Sequence, residues 1–173
     1  MRNNPMSVEK KRATDLLAAN KIQQAKGVFE QICRGEPGDI EAWIYLVQIN
    51  AQLGRSAEVA RCCRAIIAVL PNSEEAHYHL GCAELLQSKF DAAAVAFRKV
   101  LQLKPDHAMA IFHLGKSLRF LGRFAEALPC FQKTVELEPK LAEAYDALGG
   151  TLLHYCRIED AVSAYQKALR LQP

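Results

Sequence analysis

Residues 74–107 read EEAHYHLGCAELLQSKFDAAAVAFRKVLQLKPDH. Two segments in this stretch, Glu74 to Gln87 and Asp91 to Leu103, carry apolar residues at helical spacing. Leu80, Gly81, Leu85 and Leu86 mark the first; Ala93, Ala96, Phe97 and Val100 mark the second. Both segments exceed ordinary strand length, so each predicts a helix. Pro105 follows the second segment and cannot continue it. The stretch is therefore a helix hairpin closed by a proline.

Moving outward, the closing proline recurs. Pro37, Pro71, Pro105, Pro139 and Pro173 stand 34 residues apart without a slip. A constant period of this length marks a repeat solenoid. Aligned on the prolines, a tail over residues 1–5 precedes five units in one domain: 6–39, 40–73, 74–107, 108–141 and 142–173. A single helix pair cannot bury its apolar face, so the units must stack. Such stacks usually bind other proteins and seldom carry out chemistry.

The columns of the alignment carry a signature. One reads Leu46, Leu80, Leu114, Leu148, and the next Val47, Gly81, Gly115, Gly149. Another reads Ala25, Val59, Ala93, Ala127, Ala161, followed four residues on by Phe29, Cys63, Phe97, Phe131, Tyr165. Trp43 or Tyr145 stands three places before the leucine. This pattern resembles the tetratricopeptide repeat (TPR) family over nearly the whole chain. The resemblance implies an all-α, right-handed superhelical solenoid of antiparallel helix pairs. Small residues such as Gly81 and Ala93 let the two helices of a unit approach closely, and Phe97 and its equivalents fill the gap to the next unit.

Departures from the pattern carry their own expectations. Glu9 and Arg12 occupy the tryptophan and leucine columns of the first unit, as suits a capping repeat with a polar outer side. Asn50 and Cys63 replace bulkier apolar residues and predict looser packing in the second unit. Pro129, near the start of a second helix, predicts a kink. Lys21, Arg55, Lys89, Arg123 and Arg157 fall in the turn between helices, where a cation favours the carboxyl end of the first helix dipole. Asn72 with Glu75 has capping-box spacing. Val162, Tyr165 and Leu169 have no following unit to cover them. This predicts either a fragment of a longer protein or self-association through that end.

Composition limits the function classes. The chain has 173 residues, half of them hydrophobic, with 22 basic and 19 acidic side chains and a net charge of +3. That balance gives no case for nucleic acid, which needs a concentrated basic face. The run Lys10, Lys11, Arg12 reads as a solvated helix face. The longest apolar run, Ala65 to Leu70, is far too short to span a bilayer, so no membrane is expected. The N-terminus lacks the apolar core of a signal peptide. The six cysteines (33, 62, 63, 82, 130 and 156) fit neither a disulfide framework nor a zinc site. A cytoplasmic protein without cofactor or metal follows. No phosphate loop, nucleophile motif or H-E-x-x-H is present, so no catalytic residues are assigned and the protein is not expected to be an enzyme.

The resemblance implies that the first helices line a concave groove. By column, a peptide-binding groove would contain Ile44, Gln48 and Gln52, then Tyr78, Cys82 and Leu86, then Phe112, Lys116, Arg119 and Phe120, and finally Asp146, Gly150, Leu153 and His154. A neighbouring column adds Tyr45, His79 and His113. Aromatic rings with a basic spot at Lys116 and Arg119 suit an extended or helical segment with apolar anchors and a carboxylate. Two known groove chemistries of the family do not carry over. The chaperone-binding clamp would find only Lys10 and Lys116, and the asparagine-ladder column reads Lys11, Tyr45, His79, His113, Ala147. His79, His113 and Cys82 suggest a soft-metal site, but stacked helices are wide for shared ligands, and hydrogen-bonded or solvent-facing histidines are the better reading. The leading function is a non-enzymatic scaffold for a protein or peptide partner. The runner-up is a substrate-recruiting module of a larger enzyme, similar to the arrays that precede bacterial transferase domains.

Overall fold

The computed structural model describes residues 5–172, with side chains from residue 7. Residues 1–4 of the expected tail and the closing Pro173 lie outside the described residues. Among those described, the chain forms ten helices and no strand. They are α1 (Pro5–Ala18), α2 (Ile22–Gly35), α3 (Ile40–Gln52), α4 (Ser56–Val69), α5 (Glu74–Leu86), α6 (Phe90–Leu103), α7 (Ala108–Phe120), α8 (Phe124–Leu137), α9 (Ala142–His154) and α10 (Ile158–Leu171).

Within each pair the chain turns by one device. Asn20, Gly54, Ser88, Gly122 and Cys156 all have positive φ, between 55° and 72°. The N–H of the following residue, Lys21, Arg55, Lys89, Arg123 or Arg157, returns to the carbonyl five places back, on Leu16, Asn50, Glu84, Leu118 or Leu152, at 2.8–3.1 Å. This is a Schellman closure, which satisfies carbonyls left open at a helix end. The cationic column therefore serves the turn through its backbone and begins the second helix. Two of its side chains reach forward rather than back: Arg123 Nε donates to Glu126 at 2.6 Å and Arg157 Nε to Asp160 at 2.7 Å.

Between pairs the prolines sit two residues ahead of a second repeating device. Asp39 Oδ1 accepts from the Ala42 N–H at 3.0 Å, Ser73 Oγ from Ala76 at 3.2 Å, and His107 Nδ1 from Ala110 at 3.2 Å. Each caps a first helix, a contact worth about 1 kcal/mol. The cap of α5 is thus Ser73, one residue beyond the expected Asn72. Helix α8 runs unbroken through Pro129, which leaves the Ala125 carbonyl without its helical donor.

By contacts the chain falls into two compact units, Met1–Ala83 and Glu84–Pro173, divided within α5. In the first unit α2 packs on α1 and α3, and α3 on α4. Its core holds Phe29, Trp43, Leu46, Ile49, Cys62, Cys63 and Ile66, with Ala76 and Ala83 of α5 against it. Asn50 and Cys63, expected to loosen this repeat, are both fully buried. In the second unit α7 packs on α6, α8 and α9, and α9 on α8 and α10. Phe97, Phe131, Val100 and Leu118 are fully buried there, and Leu152, Ala161 and Ala164 pack with Leu128, Leu148 and Tyr165.

Candidate functional site

Each unit contributes one depression that gathers residues of the expected groove. In the second unit, α7, α9 and α10 enclose about 620 Å³ lined by Phe112, Lys116, Arg119, Glu143, Asp146, Tyr165 and Leu169, among others. Phe112 forms the floor; it is 2% exposed, and its ring meets Phe131 edge-on at 6.1 Å. Lys116 Nζ lies 5.4 Å from the centre of the Phe112 ring, within reach of a cation–π attraction. Gly150 makes room for Arg119, because a Cβ there would stand 3.1 Å from the guanidinium Nη1 and 3.3 Å from the Tyr165 hydroxyl. Two cations from α7 thus share a wall-lined space with two carboxylates from α9. That arrangement can hold a segment carrying both an acidic and a basic or amide group.

In the first unit, α3, α4 and α5 enclose about 350 Å³. Ile44, Val47, Gln48 and Ala51 line it from α3, Cys63 and Ile66 from α4, and Ala76 and His79 from α5. Its walls are largely apolar. Glu75 stands at the rim, with Oε1 3.8 Å from His79 Nε2.

The remaining groove candidates line neither depression. Phe120 is exposed, but its ring stacks on Phe90 at 4.6 Å. His154 stacks on Phe124 at 3.7 Å, in the same two columns one repeat later. His113 lies against Phe97 at 5.5 Å and tilts towards Phe112 at 5.4 Å. Burial, aided by the charges of Lys116 and His107, pulls its pKa down to about 4, so it is neutral at pH 7. Tyr78 is half-buried beside Cys82; burial first, then the thiol, push its hydroxyl up to about 12. Lys10 does not stand open to a ligand, because it bonds Asp39 at 2.8 Å and Glu41 at 2.9 Å, which raise its pKa.

Burial drives the thiols of Cys33 and Cys63 to about 12 and that of Cys62 to about 11, which leaves them protonated and poorly nucleophilic. None of the six cysteines is in a disulfide. Among the described residues, no group of three or more His, Cys, Asp or Glu side chains is placed to hold a metal ion. Likewise, no described helix is long and apolar enough to cross a membrane.

The sequence matches the tetratricopeptide repeat family over residues 10–68, 74–107 and 106–173. The chain belongs to that family. Solved TPR structures share its fold across nearly its full length. MamA from Desulfovibrio magneticus RS-1, from residue 41 to its end, is 19% identical with a TM-score of 0.88, covering 99% of this chain and 97% of that one. Another MamA structure is 19% identical with a TM-score of 0.84, covering 99% and 96%. YrrB, a TPR protein with an unusual peptide-binding site, is 19% identical with a TM-score of 0.83, covering 95% and 85%. No curated protein matches the sequence. The all-α TPR fold expected from the columns is the one the chain adopts, and TPR arrays generally serve as protein-interaction scaffolds.

Two features escaped the column-by-column reading of the TPR pattern. Tyr165, Glu143 and Leu169 face the larger depression although they lie outside the groove columns. Val47 and Cys63 depart from glycine and an aromatic ring in the same repeat, and both face the smaller depression. Coupling those two departures would have located the second site from sequence.

Proposed function

We propose that the protein is a non-enzymatic scaffold that holds a segment of a partner protein on the face presented by its first helices. The observation that carries this reading is the convergence of Phe112, Lys116 and Arg119 with Asp146 in one open depression. An apolar floor, two cations and two facing carboxylates suit an extended or helical peptide that carries an apolar anchor beside an acidic group and a basic or amide group. YrrB, which shares the fold, has a peptide-binding site, which is compatible with this use of the array. Buried, protonated thiols and a neutral His113 fit a binding role better than a chemical one.

The test reverses the charge of the depression. Lys116→Glu with Arg119→Glu should leave the helical circular-dichroism signal unchanged and weaken capture of an acidic partner. Losing two charge-assisted contacts should lower affinity by about a hundredfold. Equal capture by the wild type and the double variant would show that the partner is held elsewhere.

A further inference from the structure

The smaller depression is the vacancy left by a ring that neighbouring repeats possess. In the first repeat Phe29 reaches forward to Tyr45, ring on ring, at 4.6 Å and 15° between planes. The same two columns, two repeats later, place Phe97 against His113 at 5.5 Å and 26°. In between, the columns read Cys63 and His79. His79 is thus the equivalent of Tyr45 and His113, but the residue opposite it is a thiol. The space is open, about 350 Å³, and Cys63, Ile66 and Val47 line it together with His79. In the fourth repeat the equivalents of Cys63 and Ile66 are Phe131 and Thr134. Both are fully buried, and neither lines the larger depression. A ring at this column therefore fills the second-helix side of the space, the side that Cys63 leaves open, while the first-helix side stays open in both repeats, lined by Phe112, Lys116 and Arg119 in the fourth.

We infer that the depression between α3, α4 and α5 receives an aromatic side chain of the bound segment, its ring lying against His79 where the other repeats place their own phenylalanine. The geometry selects a planar, uncharged group. Ile44, Val47, Ala51, Ile66 and Ala76 offer apolar walls, and the imidazole of His79 offers a face on which a ring stacks. The volume lies at the low end of the range that ligand pockets occupy, which suits one side chain rather than a whole ligand. Ile44, 37% exposed, and the half-exposed Leu70 leave the entrance apolar. The inference deepens the scaffold reading and rests on it, because it names one anchor of the same partner segment.

The experiment uses the whole chain and blocked amino acids as probes. N-acetyl-phenylalaninamide, N-acetyl-leucinamide and N-acetyl-alaninamide are titrated while the His79 ring and Ile44 methyl resonances are followed. The phenylalanine probe should give saturable shifts at both sites, the leucine probe weaker ones and the alanine probe none. Removing the stacking face with His79→Ala should weaken the phenylalanine probe about tenfold and leave the leucine probe nearly unchanged. Val47→Gly with Cys63→Phe, which rebuilds the glycine-and-ring pair of the other repeats, should abolish the response.

Equal shifts from leucine and phenylalanine, indifference to His79→Ala, or no response from the wild type up to the solubility limit would each overturn the inference. Any of these alongside intact partner capture would leave the scaffold reading standing. A normal ring titration with partner capture indifferent to Lys116 and Arg119 would instead move the charged contact away from the larger depression and keep the aromatic anchor.

Discussion

The second repeat and the last two solve one packing problem from opposite sides. In the fourth repeat a glycine on the first helix receives a ring from the second: a Cβ on Gly115 would stand 2.8 Å from the Phe131 ring. The fifth repeats the arrangement, with Gly149 at 3.0 Å from the Tyr165 ring. In the second repeat the first helix supplies the bulk, as Val47, and the second helix withdraws to a thiol, Cys63. Both solutions bury their residues, because Val47 and Cys63 join one apolar cluster just as Phe131 lies fully inside its own. They differ in what remains. Ring-in-notch packing fills the space between the two helices of its own repeat, whereas valine-on-thiol packing leaves an opening beside His79. Repeats that are interchangeable in backbone are thus not interchangeable in surface.

The sharpest way to break the comparison is to force the valine into the wrong repeat. Gly115→Val places branched carbons where the Phe131 ring already sits, and the nearest alternative neighbour, Cys130 Cβ, is only 3.0 Å away. Overpacking of this kind should cost about 3 kcal/mol, read as a fall in the urea midpoint. Adding Phe131→Cys should return a substantial part of the loss. A double variant as unstable as the sum of its singles would mean the two columns are not coupled.

The fate of the rings shows which features were readable from sequence and which were not. Helices and the turns within pairs repeat at fixed columns because they answer to backbone hydrogen bonding, so the 34-residue period locates them. Even there the agent can differ from the expected one, since the turn is closed by the N–H of Arg55 and its equivalents, with a left-handed residue just before. A ring has no such fixed use. Phe120, His113 and His154 stand in groove columns, as Phe112 does, yet Phe90, Phe97 and Phe124 engage them from preceding helices. Whether a ring serves the core or a ligand depends on a second column about sixteen to thirty positions earlier, and one column read alone omits that.

A second difference between repeats appears in acid. His113 lies against Phe97 with a pKa near 4, while the equivalent His79 is partly solvated beside Glu75. Unfolding restores His113 to the ordinary value near 6.5, so the unfolded chain binds more protons between the two values. The stability that neutral His113 contributes is present above about 6.5 and is lost as pH falls towards 4. Between pH 7 and pH 4.5 a shift of this size corresponds to roughly 2–3 kcal/mol. Denaturant midpoints at pH 7 and pH 4.5 should converge when His113→Phe is introduced. An unchanged pH dependence in that variant would assign the acid sensitivity to other groups.

The second repeat also holds a polar residue where the first, fourth and fifth hold leucine and the third holds the buried Glu84. Asn50 aligns with Leu16, Leu118 and Leu152, is fully buried, and donates Nδ2 to the Leu46 carbonyl at 2.8 Å. Its Oδ1 finds no hydrogen-bond partner. Leaving a buried acceptor unsatisfied outweighs the one bond gained, so Asn50→Leu should stabilise the protein by about 1–2 kcal/mol. A destabilised Asn50→Leu variant would show that the amide is required by the geometry of α3.

The smallest expected effect concerns the turns. Gly54 and Gly122 adopt φ of 66° and 72° without penalty, while Cys156 holds 55° with a side chain attached. A left-handed residue with a Cβ costs roughly 1 kcal/mol, and glycine recovers part of this against its greater entropy in the unfolded chain. Cys156→Gly should therefore stabilise by about 0.5 kcal/mol and raise the thermal midpoint by about 1–2 °C. Gly54→Ala, the reverse change in the same column, should lower it by a little more. Opposite signs would establish that one backbone constraint governs both turns, whatever their side chains. Two losses would mean instead that the exposed Cys156 side chain holds its turn through contacts glycine cannot make.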